Sequence, residues 1–385
     1  MTKLIDVCEF IVDCPHSTAQ DEGRGYPLIR TPNIGKGRFN LDGVHRVSES
    51  VYTKRNLRAT PQDNDLIFAR EAPAGNVAII KNGEKFCLGQ RTVLIRPNPK
   101  YVYPDFLTYF LLAPQQQYEL LGTANGATVA HVNLPTIRNL EINLPELEVQ
   151  HRIADILSAY DDLIENNRKQ IKLLEEVAQR LYKEWFVDLR FPGHEHTKIV
   201  DGVPEGWKRR KLVDIAQVQY GYAFDGSLFN SQKIGTPIIR IRNIPQGQTE
   251  DYTPENVDSQ YLVYNGDIIV GMDGEFHINT WAGDTAYLVQ RTCRIKALTS
   301  DLNGFLLWAI YEPIKYFEKT VVGATVAHLG KKHIDTVEIL VPTEKFYLPF
   351  KSLFEARLLL MNQNRALAEA RDRLLPKLMS GEVEV

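Results

Sequence analysis

The 385-residue chain has few cysteines and no long apolar run. Its four cysteines are far apart and form no CxxC pair; they are Cys8, Cys14, Cys87 and Cys293. This pattern argues against a zinc finger, a thioredoxin-like site or a secreted disulfide scaffold. The apolar run 305–311 is far shorter than the roughly 18 residues that a membrane span needs, and acidic residues interrupt the first fourteen positions. We therefore expect a soluble, cytoplasmic protein that does not bind a membrane.

The sequence also lacks several motifs that are typical of enzymes. It contains no GxxxxGK[ST] loop for a triphosphate, no [DN]PP[YF] tetrapeptide of amino-methyltransferases, and no carboxylate two residues before a lysine, which is one element of a common nuclease site. The triplet His194-Glu195-His196 could bind a metal, but it follows Pro192-Gly193 and is better explained as an exposed linker. These absences favour a non-catalytic protein without a metal or cofactor of its own.

An internal repeat organises the chain. The hexapeptide Gly-Ala-Thr-Val-Ala-His at 126–131 recurs unchanged at 323–328, and the same displacement pairs Pro145 with Pro342. Upstream the displacement drifts, as for the Gln-Arg-Thr triplets at 90–92 and 290–292. Two copies of one unit are therefore predicted, whose front segments differ by loop insertions and whose rear segments match in length.

The front segments, roughly 1–145 and 205–342, are predicted to be mixed α/β. Short β-type runs are bounded by Gly, Pro and Asn, and helical runs follow them. The runs that support this are strands at 66–68, 77–80 and 92–95, and helices at 105–112 and 304–311.

The rear segments predict long amphipathic helices. From Glu148 to Trp185, apolar residues recur every three or four positions, which corresponds to about 57 Å of helix for 38 residues. A second helix is expected from Phe350 to Leu378, and Pro376 should kink or end it. Because a helix with one apolar stripe needs a partner, these two are expected to pair. Asn167 and Asn364 occupy equivalent positions, either as a buried register-fixing pair or as ordinary surface residues.

The net charge of −3 conceals two basic segments. Residues 24–58 carry a net charge of +6 and residues 208–242 a net charge of +5, at corresponding places of the repeat. Basic loops that also contain Asn and Gln suit phosphate contact and base reading in DNA, because Arg pairs with guanine and Asn or Gln with adenine. A solvated basic face is the alternative for one cluster, but two matched clusters favour DNA.

Candidate DNA-binding residues lie in these polar loops beside predicted strands. In the first copy they are Arg30, Asn33, Lys36, Arg38, Arg70, Gln90, Arg91 and Thr92; in the second they are Arg240, Arg242, Asn243, Gln290, Arg291 and Thr292. A second candidate loop contains Thr128, His131, Thr325 and His328. Arg91 and Arg291 have an alternative role, since each could pair with a carboxylate inside its domain.

Several stretches resemble the specificity subunits of Type I restriction-modification systems. The stretch 144–154 is similar to the opening of that family's first spacer helix, and 181–188 to its end. The stretch 203–207 is similar to the entry to the second recognition domain, and 374–381 to the family's C-terminus. One departure is that Thr343-Glu344-Lys345 lacks the Glu-x-Gln of the first copy.

The resemblance implies two target-recognition domains separated by two antiparallel helices that form a coiled-coil spacer. Each domain would read one half of a bipartite, asymmetric DNA target, and the helices would set the gap between halves. Two modification subunits that methylate adenine and the restriction/translocase subunits would be its partners, and they would bind S-adenosylmethionine, ATP and Mg²⁺. The implied boundaries are 1–145 and 205–342 for the domains, 146–190 and 343–385 for the helices, and 191–204 for the linker.

A function from another class stays open at this point. The chain could be a coiled-coil scaffold whose two α/β domains bind protein or carbohydrate. Binding that ignored DNA sequence and depended little on salt would favour the scaffold.

Overall fold

The computed structural model describes residues 2–122, 131–320 and 327–385. The chain divides into two compact units: unit 1 is Met1–Ile164 with Leu367–Val385, and unit 2 is Glu165–Ala366. Each unit contains a mixed α/β globular part and one stretch of each of two long helices. The predicted fold class, mixed α/β with long helices, is therefore confirmed.

Unit 1 has a five-stranded sheet in the order β2-β9-β6-β7-β4, a three-stranded sheet in the order β5-β3-β8, and the pair β1-β10. The strands are β1 (Thr2–Lys3), β2 (Cys8–Asp13), β3 (Tyr26–Ile29), β4 (Lys36–Gly37), β5 (Arg46–Val47), β6 (Leu66–Ala69), β7 (Val77–Ile79), β8 (Cys87–Leu88), β9 (Thr92–Pro97) and β10 (Glu141–Ile142). The helices are α1 (Glu49–Arg55), α2 (Pro104–Leu112), α3 (Pro114–Gly122), α4 (Leu134–Arg138) and the first stretch of α5 (Leu147–Tyr182).

Unit 2 has sheets in the orders β14-β21-β18-β19 and β16-β15-β20-β17, and the pairs β13-β22 and β11-β12. The strands are β11 (Ile199–Val200), β12 (Val203–Pro204), β13 (Lys208–Lys211), β14 (Ala216–Tyr220), β15 (Thr236–Ile239), β16 (Tyr252–Thr253), β17 (Leu262–Val263), β18 (Ile268–Gly271), β19 (Ile278–Thr280), β20 (Ala286–Leu288), β21 (Thr292–Ala297) and β22 (Glu338–Val341). The helices are α6 (Leu212–Ile215), α7 (Asn303–Ala309), α8 (Tyr311–Thr320), α9 (Lys331–Ile334) and the first stretch of α10 (Glu344–Ser380).

The two globular parts share one topology. The order β2-β9-β6-β7 in unit 1 corresponds to β14-β21-β18-β19 in unit 2, and β5-β3-β8 corresponds to β16-β15-β20. In each smaller sheet one pair is parallel, β3 with β8 and β15 with β20. The repeat seen in the sequence is therefore a repeat of strand order as well.

Buried apolar runs account for these elements. Strands β6 and β7 are buried along their whole length, as is typical of strands covered on both faces. Helix α2 packs Phe106 and Leu107 into the same core, to which α5 adds Ile153 and Leu157. In unit 2 the corresponding core contains Phe305 from α7, together with residues of α5 and α10.

Both long helices form, and Pro376 does not end the second one; that it kinks the helix stays a prediction. Helix α5 has 36 residues and continues into a π-helical turn, Lys183–Val187. Helix α10 has 37 residues, begins six residues before the expected Phe350 and runs through Pro376 to Ser380. A proline inside a helix costs about 3 kcal/mol, but Leu375 and Leu378 on either side are buried in the core of unit 1. Their burial offsets the local cost, so the helix does not end there.

Within each unit the two helices run antiparallel. In unit 2, Glu175 of α5 pairs with Arg357 of α10 (Nε to Oε1, 2.7 Å), whereas the later Tyr182 lies beside the earlier Phe350. In unit 1, Asp161 pairs with Arg371, and the earlier residues of α5 share a core with Leu375 and Leu378. Ion pairs therefore connect the helices in both units.

The asparagines expected to fix the helix register are both in unit 2. Asn167 is buried, and the Oδ1 atom of Asn364 is buried without a hydrogen-bond partner among the described residues. The hydrogen bonds of the described chain include none between the two amides. Their role in register stays a prediction, and the Glu175–Arg357 pair is one polar contact between the helices there.

Candidate nucleic-acid interface

In each unit two parallel strands end side by side. In unit 1, Ile29 at the end of β3 is paired with Leu88 at the end of β8, and the chain then enters a 3-10 turn at Thr31–Asn33 and a tight turn at 89–91. Arg30, Gln90 and Arg91 consequently line one cleft of about 270 Å³. We call this the β3/β8 edge.

Unit 2 builds the same edge. Ile239 at the end of β15 is paired with Leu288 at the end of β20, and the turn Ile241–Asn243 follows β15. We call this the β15/β20 edge. The predicted residues that follow these four strands are therefore brought together within each unit.

An asparagine shapes the first turn of each edge. The backbone N–H of Arg30 donates to Oδ1 of Asn33 (3.1 Å), and that of Arg240 donates to Oδ1 of Asn243 (2.8 Å). Asn33 also donates to the carbonyl of Asn40 (3.1 Å) and is buried. These amides are therefore bound to the protein's own backbone.

The Gln-Arg-Thr triplets form the second turn of each edge. Thr92 and Thr292 are buried, and their hydroxyls donate to backbone carbonyls within the turn, at 2.9 and 2.6 Å. Arg91 and Arg291 adopt the left-handed region with φ of 64° and 66°, and both side chains are more than half exposed. The triplet thus has one buried residue that shapes the turn and one exposed cation.

Each exposed arginine shares a carboxylate with a histidine. In unit 1, Glu71 binds Arg91 (Oε2 to Nη1, 2.8 Å) and His131 (Oε1 to Nδ1, 2.6 Å). In unit 2, Asp273 binds Arg291 and His328, the latter through Oδ1 and Nδ1 at 2.5 Å. We call these sets the Arg-acid-His clusters. Burial raises the pKa of Asp273, but hydrogen bonds and charge from Arg291 and His328 lower it more, so its pKa lies below the usual value.

The two clusters differ in one neighbour. In unit 1, Nη2 of Arg70 donates to Nε2 of His131 (2.9 Å), and Nη1 of Arg70 pairs with Asp13 (2.9 Å). Because a guanidinium only donates, Nε2 of His131 accepts and its Nδ1 carries the proton toward Glu71. The equivalent of Arg70 in unit 2 is Met272, and His328 is more exposed than His131. Among the residues that the structure describes, both ring nitrogens are engaged in His131 but only Nδ1 in His328.

The remaining predicted cations have different surroundings. Lys36 is exposed, whereas Arg38 pairs with Asp162 of α5 (2.8 Å) and is mostly buried. Arg240 lies over the ring of Phe229, 5.4 Å from its centroid, and Arg242 pairs with Asp251. Arg38 therefore packs within its unit, whereas Arg242 is paired but still exposed.

Gln90 and Gln290 also differ. Gln90 accepts from the hydroxyl of Thr18 (2.9 Å) and donates to the carbonyl of His16 (3.2 Å), whereas Gln290 is exposed. Thr128 and Thr325 lie outside the described residues.

Sequence reasoning missed the acidic members of the site. Glu71 and Asp273 stand directly after Arg70 and Met272, whose backbone groups make matching hydrogen bonds in the two units. An acid at matched repeat positions was the signal that could have identified them. Asp13 and Asp251, which bind Arg70 and Arg242, carry no comparable signal because each is used in one unit.

The described ranges contain no group of three His, Cys, Asp or Glu side chains placed to hold a metal. The triplet His194–His196 forms a 3-10 turn in which Nδ1 of His194 contacts the carbonyl of Phe191 at 2.9 Å. Among the same described residues, no helix is both long and apolar enough to cross a membrane.

Comparisons with known proteins agree with this architecture. The sequence model of the Type I restriction modification DNA specificity domain matches residues 1–176 and 204–345. The MjaIX specificity subunit of Methanocaldococcus jannaschii is 27% identical over 361 residues, covering 89% of this chain and 83% of that protein. The HindI specificity subunit of Haemophilus influenzae is 23% identical over 396 residues, covering 83% of this chain and 86% of that protein.

A solved structure shows the same fold. The S subunit of a Type I restriction-modification system from M. genitalium superposes with a TM-score of 0.52 at 16% identity, covering 98% of this chain and 95% of that one. Because the family's two matches together span most of the sequence, one on each copy of the repeat, the chain belongs to the family of Type I restriction-modification specificity subunits.

Proposed function

We propose that this chain is the DNA-recognition component of a Type I restriction-modification complex and reads a bipartite, asymmetric target. The observation that carries this proposal is that one edge, made of the same two turns, is built once in each unit. A common scaffold with different flanking side chains is what recognition of two different half-sites requires. The family match supports the same function.

The contacts proposed for DNA are the exposed members of the two edges. Lys36, Gln290 and the two arginines of the clusters present side chains to solvent, and they suit phosphate or base contact. Arg30 is half-buried and is added to them because it lines the cleft with Gln90 and Arg91, where its buried Nε atom has no hydrogen-bond partner in the described chain.

Other predicted residues are assigned to positioning. Asn33, Asn243, Thr92 and Thr292 shape the turns through their own hydrogen bonds. The guanidinium of Arg38 pairs with Asp162. The guanidinium of Arg70 pairs with Asp13 and donates to His131. We therefore propose that these six side chains act on DNA recognition through the shape of the edges.

The catalytic steps are proposed to belong to partner subunits. We expect two modification subunits that methylate adenine and, in the restricting complex, the restriction/translocase subunits. S-adenosylmethionine, ATP and Mg²⁺ would bind to those partners. The missing triphosphate and methyltransferase motifs in this sequence support a non-catalytic role.

Methylation mapping tests the proposed function. When the chain is expressed with its modification subunits in a host without other adenine methylation, methylated adenines should fall in one motif of two short sequences separated by a gap of fixed length. The modification subunits expressed without the chain should give no motif. A contiguous motif, or methylation that did not depend on this chain, would contradict the proposal.

A further inference from the structure

The Arg-acid-His cluster is repeated in the two edges. In both units an exposed arginine with positive φ shares a carboxylate with a histidine, although the flanking residues differ. Arg70 of unit 1 is replaced by Met272, and Gln90 is bonded to its neighbours whereas Gln290 is exposed. The repeated Arg-acid-His cluster and the flanking residues that differ between the units can therefore have different functions.

The stability of the fold does not explain why an arginine occupies position 91 or 291. A residue other than glycine is strained in the left-handed region, whereas glycine adopts that region without strain. An ion pair as exposed as Arg91–Glu71 contributes little to stability, because solvent screens it. The two effects nearly cancel, so the fold gains little from arginine at this position.

Each guanidinium has N–H donors that a ligand can bind. In each cluster the acid is bound to Nη1, and the other guanidinium nitrogens of Arg91 and Arg291 have no hydrogen-bond partner among the described residues. The acid holds one nitrogen of each guanidinium, and both arginine side chains are more than half exposed. A cation held in that position can pair with a DNA phosphate through its charge and its free N–H donors.

We propose that Arg91 and Arg291 are the sequence-independent phosphate contacts of the two edges, and that Glu71 and Asp273 are positioning residues that aim them. This rests on the proposed function. Two half-sites of an asymmetric target differ in their bases but share the DNA backbone, so a cluster repeated in both units fits what the half-sites have in common. Exposed side chains that differ between the edges, such as Gln290, then read the bases.

Single substitutions with glycine test the proposal in the full chain assembled with its modification subunits. Two duplexes serve as probes: the target defined by methylation mapping, and the same duplex with both halves scrambled. Arg91→Gly and Arg291→Gly should each weaken binding about tenfold on both probes, and should lower the slope of log affinity against log salt by about 0.9. The ratio of the affinity for the target to the affinity for the scrambled duplex should not change. The methylated motif should not change either.

Thermal stability and a lysine variant separate the possible roles. Both glycine variants should melt within about 2 °C of the parent, because relief of the backbone offsets loss of the ion pair. Arg91→Lys should keep binding within about threefold of the parent, since a phosphate accepts a point charge whereas a bidentate base contact does not. Lys100→Ala removes an exposed charge near the far end of β9, roughly 20 Å from Arg91, and should leave binding unchanged.

Three results would overturn the proposal. They are unchanged binding by both glycine variants, a relaxed base preference in one half of the motif, and a fall in melting temperature that alone explains the lost binding. If Arg91→Lys bound as poorly as Arg91→Gly and its motif was relaxed, Arg91 would be a base contact. A parent complex that did not distinguish the target from the scrambled duplex would instead reject the proposed function itself.

Discussion

Replacing Asp161 with alanine should lower the free energy of unfolding by about 3 to 5 kcal/mol. The side chain of Asp161 is 3% exposed, accepts a 2.6 Å hydrogen bond from the hydroxyl of Tyr109, and pairs with Arg371 of α10. Burial raises the pKa of Tyr109, and the charge of Asp161 raises it further, so the phenol stays a donor. Removing the carboxylate would leave a buried guanidinium and a buried hydroxyl without this partner. Urea unfolding of the full chain measures the loss.

The neighbouring Asp162 is a matched control. Its side chain is 67% exposed and pairs with Arg38, so Asp162→Ala should cost no more than about 1 kcal/mol. Changing Asp161 and Arg371 together to leucine should recover at least half of the loss, because no buried charge then remains unpaired. Equal effects of Asp161→Ala and Asp162→Ala would show that the buried pair does not hold unit 1 together.

Lengthening both long helices by seven residues should lengthen the gap in the target by about three base pairs. The insertions belong between Ile164 and Glu165 and between Ala366 and Leu367, where the compact units divide, so contacts inside each unit are kept. Seven residues add about 10.5 Å of helix, and seven is the heptad period that preserves the packed face. One base-pair step is about 3.4 Å. Methylation mapping reads the gap directly.

A length-neutral variant controls for changes at the junction. Asn166 and Arg168 are exposed on α5, so changing both to alanine should leave the gap and both half-sequences as they are. Methylation of the lengthened variant at the original gap would show that the helices do not set the spacing. A change of bases within either half would show that the insertion disturbs reading.

Local sequence patterns predicted the elements well. The three-and-four spacing from Glu148 to Trp185 gave a helix that the structure places at Leu147–Tyr182 with a π-helical turn after it. The apolar runs at 66–68, 77–80 and 92–95 gave strands β6, β7 and β9. These elements follow from periodicity and burial, which a sequence displays directly.

Contacts between distant residues were not predictable in the same way. Arg38 belongs to a basic cluster, yet it pairs with Asp162, more than a hundred residues away. Pro376 was expected to kink or end the helix on local grounds, and the helix continues through it with buried leucines on both sides. Local propensity is a weak guide wherever tertiary packing decides the outcome.

At the two candidate edges, some features were predictable from the sequence and others were not. The role of the Gln-Arg-Thr triplets in DNA binding stays a prediction, and the alternative that Arg91 and Arg291 pair with a carboxylate is what the structure shows. The sequence did not reveal that the threonines are buried or that Glu71 and Asp273 also hold the histidines. Which polar groups face inward depends on the turn geometry, because a left-handed residue redirects the chain between them.

Exchange of one globular part tests the central claim most directly. Residues 1–145 would be replaced by the equivalent segment of a relative with a different target, with the junction beside Pro145, before α5 begins. Methylated adenines would then be mapped in a host without other adenine methylation. We predict that one half of the motif changes to that of the relative, while the other half and the gap stay the same. A motif in which neither half changes, or in which both change, would contradict the claim that each unit reads its own half-site.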